Sequence, residues 1–336
     1  MGWKSYFKSK RMSLLIIALL AIAMLFVIRH FTNDIPTGLL SNQTQDLFTI
    51  SISVILESLP FIVLGLVLSI LVQVWLPDDF IIKRLPKNAI LRRMTISLLG
   101  MLMPVCECGN IPLARGLIVK GLSVSDSLTF LLAAPILNPI TIITTQQAFG
   151  GDSTILIARL LGGFAIANII GMIFSKYPMN KNMLTDGFQE ICETPKAHDH
   201  SHKQRAKRST KILLQELNAI MPALFIGAFI AGAIQLLGPR EVLTLLGADP
   251  ILSVIAMMLL AFVVSICSNV DAFFALAFKN TFTTGALVSF LTFGPMIDIK
   301  MLALMRTTYR PIVIVQVTAL VALMSFVLGL VVNYGF

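Results

Sequence analysis

Pro104-Val105-Cys106-Glu107-Cys108-Gly109-Asn110-Ile111-Pro112 interrupts a long apolar run with two prolines, two cysteines, an acid, a glycine and an amide. No continuous helix survives such a stretch, because proline removes a backbone donor and glycine costs about 1 kcal/mol against alanine in a helix interior. On both sides the chain is apolar enough to sit in lipid. Broken backbone at membrane depth is tolerated only where it is buried in protein or lines a cavity. The stretch is therefore the first candidate for a solute site.

Composition extends that reading to the whole chain. Of 336 residues, 56% are hydrophobic and 13% charged, with a mean hydropathy of +0.86, well beyond the roughly 45–50% apolar content of a soluble domain. Several apolar runs exceed the ~18 residues that mark a spanning helix, which predicts an all-α polytopic membrane protein rather than a barrel. The net charge of +9 is carried by bases in short loops between apolar runs, a placement that sets topology and offers no nucleic-acid face. Of the four cysteines, Cys106 and Cys108 are two residues apart and two lie in apolar segments, a poor disulfide framework.

Lys4, Lys8, Lys10 and Arg11 precede the apolar run Met12 to Ile28, and Arg29-His30-Phe31 follows it with no small-residue cleavage site. An uncleaved N-terminal helix with a cytoplasmic N-terminus is expected. The bases Lys83, Arg84, Lys87, Arg92 and Arg93 mark a second cytoplasmic loop, and those from Lys176 to Lys211 a third. Both loops stay inside only if Met94 to Lys120 is a re-entrant hairpin that turns at Cys106 to Gly109.

The second half echoes the first. Leu59-Pro60-Phe61-Ile62-Val63-Leu64-Gly65 is matched by Met221-Pro222-Ala223-Leu224-Phe225-Ile226-Gly227, and the run through Ala133-Ala134-Pro135-Ile136-Leu137-Asn138 by Phe293-Gly294-Pro295-Met296-Ile297-Asp298. The central break has its counterpart in Cys267-Ser268-Asn269-Val270-Asp271. Counting crossings gives the halves opposite orientations. The predicted organisation is an N-terminal helix and external loop over 1–46, a first permease repeat over 47–175, a cytoplasmic linker over 176–211 and a second repeat over 212–336. Each repeat holds a broken or re-entrant helical hairpin, and inverted repeats of this kind place a shared site near the bilayer midplane.

Cys106 and Cys108 would diverge by about 200° on a regular helix. In an unwound segment both thiols can converge, and a soft pair suits trivalent arsenic, Zn(II) or Cu(I); the alternative is two small residues packed in a tight turn. Glu107 is an ionisable group at membrane depth, read as a metal ligand, a proton-coupling carboxylate or the ion-pair partner of Arg115. Asn110, Asn138, Ser268 and Asn269 orient a polar solute or cap half-helices, whose N-termini at Gly109 and after Pro135 would present N–H groups to an anion. Cys267, Asp271 and Asp298 complete the substrate-binding set from the second half, with Lys300 close enough to Asp298 to neutralise it. Glu57 and Arg159 are read as membrane-end residues that snorkel or pair. In the linker, His198-Asp199-His200-Ser201-His202 is either a low-affinity metal-collecting loop built on His198, His200 and His202 or a solvated tether.

No P-loop of the form G-x-x-x-x-G-K-[ST] occurs, so transport would draw on an ion gradient or a partner. An intramembrane enzyme using a cysteine nucleophile would need a base, and the apolar runs hold no histidine; a non-enzymatic permease without cofactor is expected.

With those residues in view, the chain resembles the predicted-permease family that includes ArsP-type organoarsenical efflux permeases and YraQ- and YcgR-like bacterial permeases. The resemblance rests on Pro104 to Pro112, on Ala133-Ala134-Pro135-Ile136-Leu137-Asn138-Pro139 and on the partial echoes, and it covers roughly Leu47 to Val332. It implies a multi-pass permease of the bacterial plasma membrane, embedded in lipid, that exports a small solute. The solute is a trivalent organoarsenical or similar metalloid in one branch, with a Zn-like divalent ion as the rival. The resemblance also implies a companion membrane subunit, as in a two-component metal transport system, and leaves room for a homo-oligomer.

Overall fold

The computed structural model describes residues 42–77, 84–102, 105–150, 153–176, 183–193, 202–237 and 249–335. The expected N-terminal helix over Met12–Ile28, Pro104, the histidines His198 and His200, and the side chain of His202 lie outside the described residues. The chain forms two compact units, Met1–Asp46 and Leu47–Phe336; of the first, only the residues that begin helix α1 are described.

The described residues are helical, with one isolated antiparallel bridge between Leu184 and Tyr309. Helix α1 (Asn42–Ile70) runs into a π turn (Leu71–Trp75), and α2 (Ala89–Leu98) into a 3-10 turn (Leu99–Leu102). Then come α3 (Glu107–Val119), α4 (Val124–Leu137), α5 (Pro139–Phe149) and α6 (Ser153–Ser175), with short α7 (Asp186–Glu193) in the linker. The second half holds α8 (His202–Leu237), α9 (Pro250–Val264), α10 (Asp271–Leu276), α11 (Thr284–Met296), α12 (Ile299–Met305) and α13 (Pro311–Gly335).

Among the described residues, six segments are long and apolar enough to cross a bilayer: Gln45–Trp75, Val124–Phe149, Ser153–Ser175, Gln204–Ile234, Thr284–Met305 and Pro311–Gly335. Four of them expose apolar side chains such as Leu56, Val63, Val315 and Val331, as a lipid-facing surface requires. Val124–Phe149 and Thr284–Met305 are instead 72% and 89% buried. These two central segments are also the broken ones, interrupted at Asn138 and at Ile297-Asp298.

Helices α2 and α3 have 10 and 13 residues, rising only about 15 and 20 Å against a hydrocarbon core of about 30 Å. Both ends of this pair return to one edge. Arg92 Nε donates to Asp126 Oδ2 at 2.6 Å at the start of α4, and Lys120 Nζ donates to the Leu76 carbonyl at 2.8 Å beyond α1. The pair α9 and α10 behaves alike: Asn333 Nδ2 donates to the Pro250 carbonyl at 3.0 Å, while its Oδ1 accepts from Gly285 N–H at 2.8 Å.

The two halves share local devices in the same order. Ser123 caps α4 and Thr283 caps α11; Asn138 caps α5 and Asp298 caps α12. The carbonyl of Cys106 accepts from the N–H groups of Gly109 and Asn110 at 3.1 and 3.2 Å, and that of Cys267 from those of Val270 and Asp271 at 3.0 and 3.1 Å. Packing repeats as well. A Cβ on Gly171 would fall 1.8 Å from Thr129 Oγ1, and one on Gly329 would fall 2.1 Å from Ser289 Oγ, so each half uses a glycine on its last helix to seat a hydroxyl from its central one.

Candidate solute site

The first break positions its groups by where α3 begins. Cys106 is the N-cap, with extended backbone at φ −75° and ψ 177°, so the helix starts at Glu107, two residues earlier than the expected half-helix N-terminus at Gly109. Because Cys106 lies off the helix, its sulfur does not diverge from that of Cys108. One donor atom each from Cys106, Glu107 and Cys108 lies within 4.8 Å of the others, and all three residues are buried.

The second break supplies the opposing wall. Helix α9 ends at Ser265, in the left-handed region at φ 51° and ψ 42°, a conformation uncommon outside glycine. The chain then turns Cys267 and Ser268 toward Glu107. Ser268 donates to Glu107 Oε2 from its hydroxyl at 3.1 Å and its backbone N–H at 3.4 Å, and Cys267 Sγ lies 4.0 Å from the same oxygen. Cys106 Sγ lies within 4.8 Å of Cys108 Sγ and also neighbours Cys267. Three thiols thus meet around one carboxylate.

Helix α12 adds a cation. Lys300 Nζ donates to Glu107 Oε1 at 3.1 Å and stands 3.7 Å from Asp298 Oδ2. Asp298 Oδ1 accepts from Met301 N–H, so this acid caps α12 and faces Lys300 together. From α1, Ser58 Oγ accepts from Cys108 Sγ at 3.7 Å. Glu57 is exposed and interacts electrostatically with Lys300, Glu107 and the backbone of Cys267.

The central helices join the two breaks. Asn138 Nδ2 donates to the Val105 carbonyl at 3.2 Å and to Asn269 Oδ1 at 3.4 Å, while Thr141 Oγ1 donates to the Ser268 carbonyl at 3.3 Å. Helix α5 therefore begins after the Asn138 cap rather than directly after Pro135. Asn110, one turn into α3, is fully buried with neither end of its amide hydrogen-bonded, and Asn269 Nδ2 is likewise without a partner. Each such group carries a desolvation penalty of about 1–3 kcal/mol, which a bound polar group would relieve.

Three expectations from the sequence change. Arg115 pairs with Glu216, not Glu107: Nε donates to Glu216 Oε2 at 2.8 Å and Nη1 to the Thr307 carbonyl at 2.7 Å, with the guanidinium 4.1 Å from the centroid of the Phe188 ring. Of the two readings for Arg159, pairing holds and snorkelling at a membrane end does not. Arg159 is wholly buried and grips Asp271 through Nη2 to Oδ2 at 2.6 Å and Nη1 to Oδ1 at 3.1 Å, with Thr145 Oγ1 accepting from Nη1 at 2.7 Å. Asp271 accordingly turns toward α6. Glu57, expected at a membrane end, lies midway along its spanning segment, beside the thiols. The one available signal was the rarity of charge inside apolar runs, which makes each such residue a candidate for a buried partner.

Among the described residues, six segments apolar enough to cross a bilayer surround two broken hairpins, with polar and thiol groups gathered where the breaks meet, an arrangement that defines a multi-pass membrane permease. The chain belongs to the predicted-permease family ArsP_1, which matches residues 43–334. It is 32% identical over 304 residues, covering 90% of this chain and 98% of the relative, to a Streptococcus mutans protein whose name describes a subunit of a two-component membrane permease complex. It is 37% identical over 270 residues to UPF0718 protein YcgR of Bacillus subtilis, covering 78% of this chain and 88% of that one. With UPF0718 protein YraQ of Escherichia coli it shares 26% identity over 115 residues, 34% of this chain and 33% of the other. No solved structure matches the chain.

Proposed function

We propose that this permease exports a small thiophilic solute, a trivalent organoarsenical or similar metalloid, across the plasma membrane through a midplane site at the two breaks. The observation that carries the reading is the convergence of Cys106, Cys108 and Cys267 on Glu107 in a buried space. A monosubstituted trivalent arsenical in its dihydroxy form can exchange both hydroxyls for two cysteine sulfurs, each thiol proton leaving with hydroxide as water. Asn110, Asn138 and Asn269 would hold its polar substituents, and Asp298 would set the charge of one wall.

The halves over 47–175 and 212–336, joined by a cytoplasmic linker over 176–211, act in this reading as inverted repeats that rock about the site. Their shared order of caps and glycine contacts supports it, as does the return of each short helix pair to a single edge. The N-terminus is assigned to the cytoplasm by the distribution of bases. A companion membrane subunit is proposed from the name of the Streptococcus mutans relative.

A second reading, a Zn-like divalent ion carried by this chain as the membrane subunit of a two-component system, draws support from the donor set Cys106, Glu107 and Cys108. Cells lacking the chain should become hypersensitive to methylated arsenicals rather than to zinc, cobalt or copper; sensitivity confined to a metal would choose the rival. Coupling through protonation of Glu107 predicts that Glu107→Gln abolishes pH-gradient-driven flux in vesicles while leaving solute binding, and unchanged flux would reject it.

A further inference from the structure

Lys300 is the only charged residue of α12, and it is buried against the thiols rather than facing water. We propose that Lys300 sets the charge class of the passenger, admitting an uncharged thiol-reactive solute and turning away a bare divalent cation. The inference rests on the thiol site proposed above.

A divalent cation seated at Cys106 and Cys108 would take its oxygen ligands from the neighbouring carboxylates. Here Glu107 Oε1 is held by Lys300 at 3.1 Å, and Oε2 by the Ser268 hydroxyl and N–H at 3.1 and 3.4 Å. Asp298 Oδ1 caps Met301, and Oδ2 faces the same ammonium at 3.7 Å. Every carboxylate oxygen of these two acids is thus engaged by a donor or set beside a positive charge. Lys300 also interacts electrostatically with Cys108 and Cys267, so an ion seated among those sulfurs would share a poorly screened space with the ammonium.

The ammonium cannot be drawn aside cheaply. Lys300 is 1% exposed, and its backbone sits directly beneath α8, where a Cβ on Gly227 would lie 3.2 Å from Lys300 Cα. A neutral dihydroxy arsenical meets no such opposition. Exchange of two As–O bonds for two As–S bonds releases two waters, leaves arsenic and sulfur at their oxidation levels, and adds no net charge beside Lys300. Glu57 interacts electrostatically with Lys300 as well.

The test uses the full-length protein in lipid nanodiscs. Phenylarsine oxide serves as the arsenical probe, and Zn(II) affinity is read by competition with a chromophoric chelator. In wild type, phenylarsine oxide should bind and Zn(II) should bind weakly. Lys300→Met should raise Zn(II) affinity about tenfold or more relative to arsenical affinity, while Lys300→Arg, which keeps the charge, should exclude Zn(II) as wild type does. The double variant Asp298→Asn/Lys300→Met removes one charge of each sign, carries the same expectation, and serves where the single variant does not fold. Unchanged Zn(II) affinity in these variants, or an equal gain in Lys300→Arg, overturns the proposal. A Zn(II) gain without arsenical binding by any variant keeps the charge filter and sinks the organoarsenical reading; arsenical binding without a Zn(II) gain does the reverse.

Discussion

Arg159 shows how much one side chain can hold together in this protein. It is wholly buried, it meets both oxygens of Asp271 across 112 positions of chain, and it also engages Thr145. Burying two ions is costly, so the pair adds little net stability, whereas removing one partner leaves an uncompensated charge worth about 3–5 kcal/mol. Arg159→Met should therefore lower the thermal midpoint of the purified protein steeply, and Arg159→Met/Asp271→Leu should recover more than half of that loss. A double variant no more stable than the single would mean that the ion pair is not what Arg159 contributes.

Between elements, α1 crosses α3 at a pair of glycines. A Cβ on Gly65 would lie 2.1 Å from the Gly109 carbonyl oxygen, and one on Gly109 would lie 2.4 Å from the Phe61 carbonyl oxygen. Backbone touches backbone, as at small-residue crossings of membrane helices, and no flexible side chain can give way. Gly65→Ala should push α3 off α1, cost about 1–3 kcal/mol and remove transport, because Glu107 and Cys108 ride on the first turn of α3. Gly187→Ala in α7, where nothing lies within 4 Å, is the matched control and should leave thermal stability and flux at wild-type levels or slightly improve stability. Equal behaviour of the two variants would show that the crossing tolerates a methyl group. That crossing was partly legible in the sequence, since Pro60 to Gly65 and Pro222 to Gly227 repeat at one spacing. The breaks were legible for a similar reason: proline, glycine and asparagine in a greasy run change backbone conformation wherever they stand. Partnership across the chain was not. Arg115 has Glu107 eight residues away but takes Glu216, 101 positions on, and Lys300 has Asp298 next to it yet approaches Glu107, 193 positions off, more closely. Local pattern reports where a charge must find a partner, and only the fold decides which.

At the scale of the whole permease unit, Leu47–Phe336, two buried ion pairs besides Glu107–Lys300 cross from one half to the other among the described residues and flank the thiols. Asp271–Arg159 joins α10 to α6, while Arg115–Glu216 joins α3 to α8 and is backed by Thr307, Thr308 and Phe188. Rocking one half against the other must separate such pairs in turn, and each 1.4 kcal/mol shifts a two-state balance about tenfold. Glu216 lies five residues beyond Lys211, the end of the basic run, so in the proposed topology this pair would face the cytoplasmic opening. Cys106, Cys108 and Cys267 are 1%, 0% and 3% exposed, which should protect them from a membrane-impermeant maleimide. In a Cys192→Ser background, Glu216→Ala should raise their labelling about tenfold when the reagent is applied to the cytoplasmic face of inverted vesicles. The rate from the external face should not change. Labelling that rises from both faces would indicate general loosening, and labelling that stays at the wild-type level would show that Arg115 holds no gate. A rise from the cytoplasmic side alone would place the thiols on a path whose inner door is this ion pair.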